Sequence, residues 1–214
     1  MPDIAVAILS NRKDLYITSA VASLAKNVKG FSSVAVFDDS GDREWVRRTG
    51  ATSIAAESVG YTEAMQRIWE FGRQHGGPVF FLEEDFTIDK PVDLADLHAL
   101  LAANQSLMQV ALQRQPWYED EIEHGGVVAA LEANPRWLGR LTHQKGYVEH
   151  DIVFTGNPSL IPARAFAHDW PYAPRSEQVF SRQLARKGFK FAYWGEAGHV
   201  TCTHHGSVTA GGGY

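Results

Sequence analysis

The stretch Val79-Phe80-Phe81-Leu82-Glu83-Glu84-Asp85-Phe86 decides how this chain reads. Four apolar residues stop abruptly at three consecutive carboxylates. The run is too short for a helix of its own and reads as a buried strand. Side chains alternate along a strand, so Glu83 and Asp85 are expected to point one way and Glu84 the other. Three adjacent like charges at the edge of an apolar core are costly unless something neutralises them. A divalent cation carrying a phosphorylated ligand is one such partner; a solvated acidic turn is the plainer alternative.

Working outward, the same pattern repeats. Ile4-Ala5-Val6-Ala7-Ile8-Leu9 reads as a first buried strand, followed by the polar turn Ser10-Asn11-Arg12 and by Ile17, Val21, Leu24 and Val28 at helical spacing. Ser33 to Phe37 is a second strand closed by Asp38-Asp39-Ser40, and Thr52 to Ala55 a short third. Thr62 is expected to cap a helix whose apolar face is Met65, Ile68 and Trp69, and Gly76-Gly77-Pro78 stops it before the strand that ends at Glu83. Asp93 caps a further helix bearing Leu94, Leu97 and Leu101. Met108 to Leu112, Ile152 to Phe154, Ser159 to Ile161 and Lys190 to Trp194 read as later strands. Strand alternating with helix predicts an α/β fold with a mainly parallel sheet flanked by helices.

The 214 residues predict one domain, 1–214, with residues 113–150 as an excursion over the active face and 208–214 as a flexible Gly-rich tail. A composition of 44% hydrophobic and 21% charged residues supports a sizeable core. The formal charge of −5 gives no basic footprint for nucleic acid. Apolar runs are too short to span a bilayer. Met1-Pro2-Asp3 lacks the basic start of a signal peptide, and the single Cys202 suits a reducing compartment, so a cytoplasmic location is expected.

Ligands of open α/β sheets bind outside the carboxyl ends of the strands. There the chain places Ser10-Asn11-Arg12, Asp38-Asp39-Ser40 and Glu83-Glu84-Asp85. No Gly-rich dinucleotide fingerprint or Walker loop follows the first strand, so phosphates are expected to be held by a metal and a few side chains. His204 or His205, after the last strand, is the expected imidazole of a mixed carboxylate and histidine site, a donor set better suited to Mn²⁺ than to Mg²⁺. A zinc site from His199, Cys202 and His204 is a rival. Ser176 is expected to cap the helix that ends at Gly188. Glu177 then lies in its first turn, where the helix field favours the ionised form that a general base requires. Trp117-Tyr118, Trp170 and Tyr172 offer aromatic faces for a sugar ring or a groove wall.

In their order, these motifs resemble the GT-A (Rossmann-like) glycosyltransferases, in particular the large inverting family that uses nucleotide-sugar donors, over Ile4 to about Ser207. The resemblance implies that Ser10, Asn11 and Arg12 hold the nucleotide and that Asp38 and Asp39 contact its base. It implies an Asp-x-Asp metal motif at Glu83-Glu84-Asp85, with Asp85 the direct ligand of Mn²⁺ or Mg²⁺ and Glu83 the weaker one. It also implies Glu177 as catalytic base and His204 as the late histidine beside the metal. The implied partners are a nucleotide-sugar donor and an acceptor hydroxyl on a protein, glycan or small molecule. The chain departs from the family in carrying Glu83 for the first Asp, one Glu for the Glu-Asp pair, and Met65 for an Asn. A nucleotidyltransferase, a non-catalytic nucleotide-sugar or glycan-binding module and a retaining transferase stay open.

Overall fold

The computed structural model describes residues 2–11, 14–41, 52–53 and 58–206. In chain order the elements are β1 (Ala5–Ser10), α1 (Asp14–Asn27), β2 (Val28–Lys29), β3 (Ser33–Asp38), β4 (Thr52–Ser53), α2 (Tyr61–His75), β5 (Val79–Glu83), β6 (Phe86–Ile88), β7 (Val92–Asp93), α3 (Leu94–Ala103), β8 (Leu107–Ala111) and β9 (Gln113–Arg114). Then come α4 (Glu119–His124), α5 (Val127–Ala133), β10 (Leu141–Gln144), β11 (Tyr147–His150), β12 (Ser159–Ile161), α6 (Ser176–Arg186), β13 (Lys190–Trp194) and β14 (Val200–His204).

Nine strands form one sheet in the order β10-β11-β13-β8-β12-β5-β1-β3-β4. β1 runs parallel to both β3 and β5, and β8 parallel to β13. β12 is antiparallel to β5 and β8, and the β10–β11 hairpin continues the far edge antiparallel to β13. The fold is thus α/β with a mixed, mainly parallel centre, as the strand and helix alternation predicts.

Period-two alternation divides the core between the two sheet faces. Val6, Ile8, Phe80 and Leu82 join Ile17, Ala20 and Leu24 of α1 and Leu94, Leu97 and Leu101 of α3. Ala7, Leu9, Val79 and Phe81 join Met65, Ile68 and Trp69 of α2 and Phe180 and Leu184 of α6. Asp93 caps α3 by accepting from the Ala95 amide at 3.0 Å, and Gly76 ends α2 in the left-handed conformation.

Three local expectations are corrected, at Thr62, Ser176 and 152–154. Thr62 does not cap α2: the cap is Gly60, with φ 82°, and Thr62 lies inside the helix. Ser176 does not cap α6: Arg175 does, in the left-handed region at φ 55°, and it is the only non-glycine residue with positive φ among the described residues. Ile152 to Phe154 form no strand, because the Phe154 amide bonds to Ser181 Oγ at 2.7 Å instead of to a neighbouring strand. Residues 113–150 are built into the structure: β10 and β11 extend the main sheet, and Val127 and Val128 of α5 pack on Val148 and Tyr193. Of the short third strand, Thr52–Ser53 form β4 beside β3, while 54–55 and the tail 208–214 lie outside the described residues.

A second, three-stranded sheet sets the site. β14 lies between β6, antiparallel, and β9, parallel, with His204 opposite Phe86. No described helix is long and apolar enough to cross a membrane.

Candidate active site

The parallel register puts the expected rim together. Ser10 is the Cα partner of Asp38, and Leu9 that of Glu83, so β1, β3 and β5 end side by side. Ser10, Asp38, Asp39, Glu84 and Asp85 are all buried. The chain itself uses several of these groups. Glu84 accepts the Asn11 amide at 3.3 Å. Asp38 accepts from Ser40 Oγ at 2.6 Å. Asp39 accepts the amides of Val59 and, at 2.9 Å, Gly60. Among the described residues, Ser10 Oγ and Asn11 Oδ1 are buried without a hydrogen-bond partner. Buried polar atoms are rarely left so, and at this rim a polar ligand is a fitting partner. Arg12 lies outside the described residues.

Beyond the rim, the carboxylates fall into two groups. Strand β5 ends at Glu83, and Glu84 and Asp85 form a turn, so strict alternation does not extend through the triplet. Asp85 leads into β6, and pairing of β6 with β14 brings His204 to it across 119 residues, with Nε2 3.1 Å from Oδ2. The His204 ring stacks on Phe86, centroids 4.6 Å apart, and meets the Trp117 ring at 4.3 Å and 63°. Gln115 holds its backbone from both sides, accepting the amide at 2.9 Å and donating to the carbonyl at 2.8 Å. Trp117 is in turn fixed through Glu121, which accepts the Trp117 amide at 2.8 Å and the Tyr118 amide at 3.3 Å. Glu121 is itself paired with buried Arg114 through contacts of 2.5 and 2.9 Å. Tyr118 is 53% exposed, with the Arg114 guanidinium 5.5 Å over its ring. His205 bonds to Thr87 on the exposed side.

The second group joins Glu83, Glu177, Tyr61 and Gly156. A Cβ placed on Gly156 would lie 2.7 Å from Glu83 Oε1 and 3.0 Å from Glu177 Oε1. Two oxygens within those distances of one point are no farther apart than their sum. Gly156 is held from both sides of the loop. Buried Gln109 accepts the Thr155 amide at 2.9 Å and donates to its carbonyl at 2.7 Å. Ser181 accepts the Phe154 amide and donates to the Glu177 carbonyl at 2.6 Å. The Tyr61 hydroxyl donates to Glu177 Oε1. Burial pushes the Glu177 carboxyl above its ordinary range, with the Tyr61 hydrogen bond opposing. This direction is opposite to the ionised form expected from the helix field alone, because loss of solvent disfavours the charged carboxylate. A raised value brings a carboxyl nearer to neutrality, where a general base works best.

The residues present fit a divalent cation at Asp85 and His204. Two ligand atoms sharing a small cation at about 2.1 Å and near right angles lie about 3 Å apart, the separation seen here. Buried His204 Nδ1 makes no hydrogen bond among the described residues, so Asp85, with Oδ2 3.1 Å from Nε2, is the side chain that sets the ring's proton. Two protein ligands suffice for a cation whose other positions go to water and phosphate oxygens. Among the described residues no three of His, Cys, Asp and Glu gather around one point. Glu83 stands beside Glu177 at Gly156. The rival zinc triad is not assembled either: Cys202 is buried in the core, and burial pushes its thiol up, away from the thiolate that zinc requires.

Tyr61, Gly156, Gln109, Gln115, Glu121 and Ser181 were not marked by the sequence reading. A glycine between two strands and a tyrosine opening a helix carry no chemistry until the fold apposes them.

No protein-family model matches the sequence, and no curated protein matches it. Solved structures do. A mannosyltransferase from Pyrobaculum calidifontis, PcManGT, in complex with GDP-Man and Mn²⁺ superposes with a TM-score of 0.64 at 13% identity, over 98% of this chain and 59% of that one. TarS 1-349 from S. aureus in complex with UDP-GlcNAc gives 0.61 at 14% identity, over 98% of this chain and 60% of that one. The chain thus spans about 60% of the length of these structures. At such identities the likeness establishes the fold, which is GT-A-like.

Proposed function

We propose that this protein is a metal-dependent glycosyltransferase that moves a sugar from a nucleotide-sugar donor to an acceptor hydroxyl with inversion. The observation that carries the reading is the division of one rim into two stations. Asp85 and His204 stand 3.1 Å apart at one, and we read this pair as the cation site; Glu177, with raised proton affinity, stands with Glu83 against Gly156 at the other. The structures this fold resembles were solved with GDP-Man and Mn²⁺ or with UDP-GlcNAc, which supports a nucleotide-sugar donor here.

Asp85 and His204 would hold Mn²⁺ or Mg²⁺, which when bound neutralises the negative charge that builds on the departing diphosphate. Ser10 and Asn11 offer the donor buried oxygens that have no hydrogen-bond partner among the described residues. Glu177 takes the proton of the acceptor hydroxyl as its oxygen bonds to the anomeric carbon and the bond to the diphosphate oxygen breaks. Trp117 walls the His204 side of the site. The single, buried Cys202 is compatible with a reducing compartment, and we place the protein in the cytoplasm.

The decisive experiment is a thermal-shift screen of nucleotide sugars with and without Mn²⁺. One donor at a hundred times its Kd should raise Tm by about 5–11 °C, with Mn²⁺ present only. Asp85→Ala should remove that rise and metal-dependent release of nucleoside diphosphate. A rise that is the same in EDTA rejects the metal role, and binding without release makes the protein a binding module.

A further inference from the structure

We infer that Tyr61 is a positioning residue for Glu177: its hydroxyl fixes Oε1 of the carboxyl and leaves Oε2 to take the substrate proton. This rests on the reading of Glu177 as the base, and the observations behind it are geometric.

Helix α2 begins without a side-chain cap of its own, at Gly60. The capping acceptor comes instead from Asp39 at the end of β3. Its buried carboxylate takes the amides of Val59 and Gly60, while its own amide bonds to the Ser10 carbonyl at 2.5 Å. The first turn of α2 is thereby tied to the rim of the central sheet. Tyr61 leaves from that tie. Its ring packs on the core face formed by α2 and α6, and its hydroxyl reaches Glu177 across 116 residues. The Gly156 backbone and Glu83 Oε1 lie close to the same oxygen, with room there for no side chain at 156. Among the described residues, hydrogen bonding to the Glu177 side chain is confined to Oε1. A carboxyl at the start of a helix has two free torsions beyond χ1; a hydroxyl on one oxygen and bare backbone against it select one arrangement. A base held in reach of its proton gains rate through orientation.

The test is a double-mutant cycle in the full chain with Mn²⁺, using UDP-GlcNAc and GDP-mannose as probes and released nucleoside diphosphate as readout. Tyr61→Phe retains the packed ring. It should lower kcat roughly ten- to hundred-fold, the loss expected for one hydrogen bond to a charged group, with KM for the donor within roughly twofold. Because Tyr61 acts only through Glu177, the Tyr61→Phe/Glu177→Gln double variant should be no slower than Glu177→Gln alone. Multiplying losses, or a Tyr61→Phe enzyme with unchanged kcat, would overturn the inference. A crystal structure of Tyr61→Phe supplies a readout free of activity: the Glu177 carboxyl should leave its place beside Gly156, and finding it unmoved also overturns the inference. If the wild type turns over neither probe while Glu177 moves in the variant, the positioning stands and the transferase reading fails.

Discussion

Replacing Gly156 with alanine separates the chemistry of the site from its stability. The added Cβ would sit 2.7 Å from Glu83 Oε1 and 3.0 Å from Glu177 Oε1, where ordinary contact begins at 3.4 Å. Gly156 does not have the positive φ that strains an alanine, and the atoms met are ends of side chains, so the backbone need not move. Each carboxyl must retreat by a few tenths of an ångström or more. Each rotation of that kind costs about 0.5–1.5 kcal/mol, about 1–3 kcal/mol for the two, and at roughly 2–4 °C per kcal/mol for a chain of this size Tm should fall by no more than about 12 °C. The effect on rate should be larger. A misplacement of 1 Å can cost about a hundred-fold, so a displacement of part of that should lower kcat roughly tenfold. Melting followed by circular dichroism and steady-state release of nucleoside diphosphate measure the two effects. An alanine variant with full kcat would show that the placement of the Glu177 carboxyl beside Gly156 does not govern the rate. A collapse of Tm would show instead that the glycine serves the backbone. Gly72→Ala is the internal contrast: there the Cβ would meet the buried Phe166 ring at 2.6 Å, a group that cannot swing aside.

Arg114→Leu should destabilise the protein by about 3–5 kcal/mol, because it leaves the buried Glu121 carboxylate without its bidentate partner; chemical denaturation reads this directly, and a loss under 1 kcal/mol would refute it. His150 is buried beside Tyr193 and Phe191, and burial pushes its imidazole down to about 3. Only the unfolded chain then takes up a proton as pH falls below about 6.5, so stability declines between there and about pH 3, by about 2 kcal/mol at pH 5. His150→Phe should flatten that decline, and a wild-type pH slope in the variant would count against the assignment. Cys202 should resist iodoacetamide in the folded protein and react on unfolding, since burial holds it as the thiol; rapid native alkylation would contradict this.

The legible part of the site was its charged groups. Glu83 and Asp85 stand out because carboxylates beside an apolar run are anomalous whatever the fold, whereas Glu177 was reached through its place in the first turn of a helix and the order of the motifs. His204 could be narrowed only to a pair of neighbours until β14 was set against β6, which turned His204 toward Asp85 and His205 toward Thr87. Glu177 was read through its own helix, yet its environment is Tyr61, Gly156 and the desolvation they impose, all contributed by other elements.

Apolar periodicity and acidic strand ends sufficed to identify the central strands β1, β3, β5, β8, β12 and β13, most helices and the α/β class, because side-chain alternation is a property of consecutive residues; the hairpin β10–β11 and the second sheet β6, β14 and β9 were not read from it. Pairing across 119 residues, the split of the acidic triplet into a His204-facing and a Glu177-facing half, and the direction in which Glu177 is shifted were decided only by the tertiary structure. Strand register and solvent exclusion are summed over the whole chain, and no local window contains them.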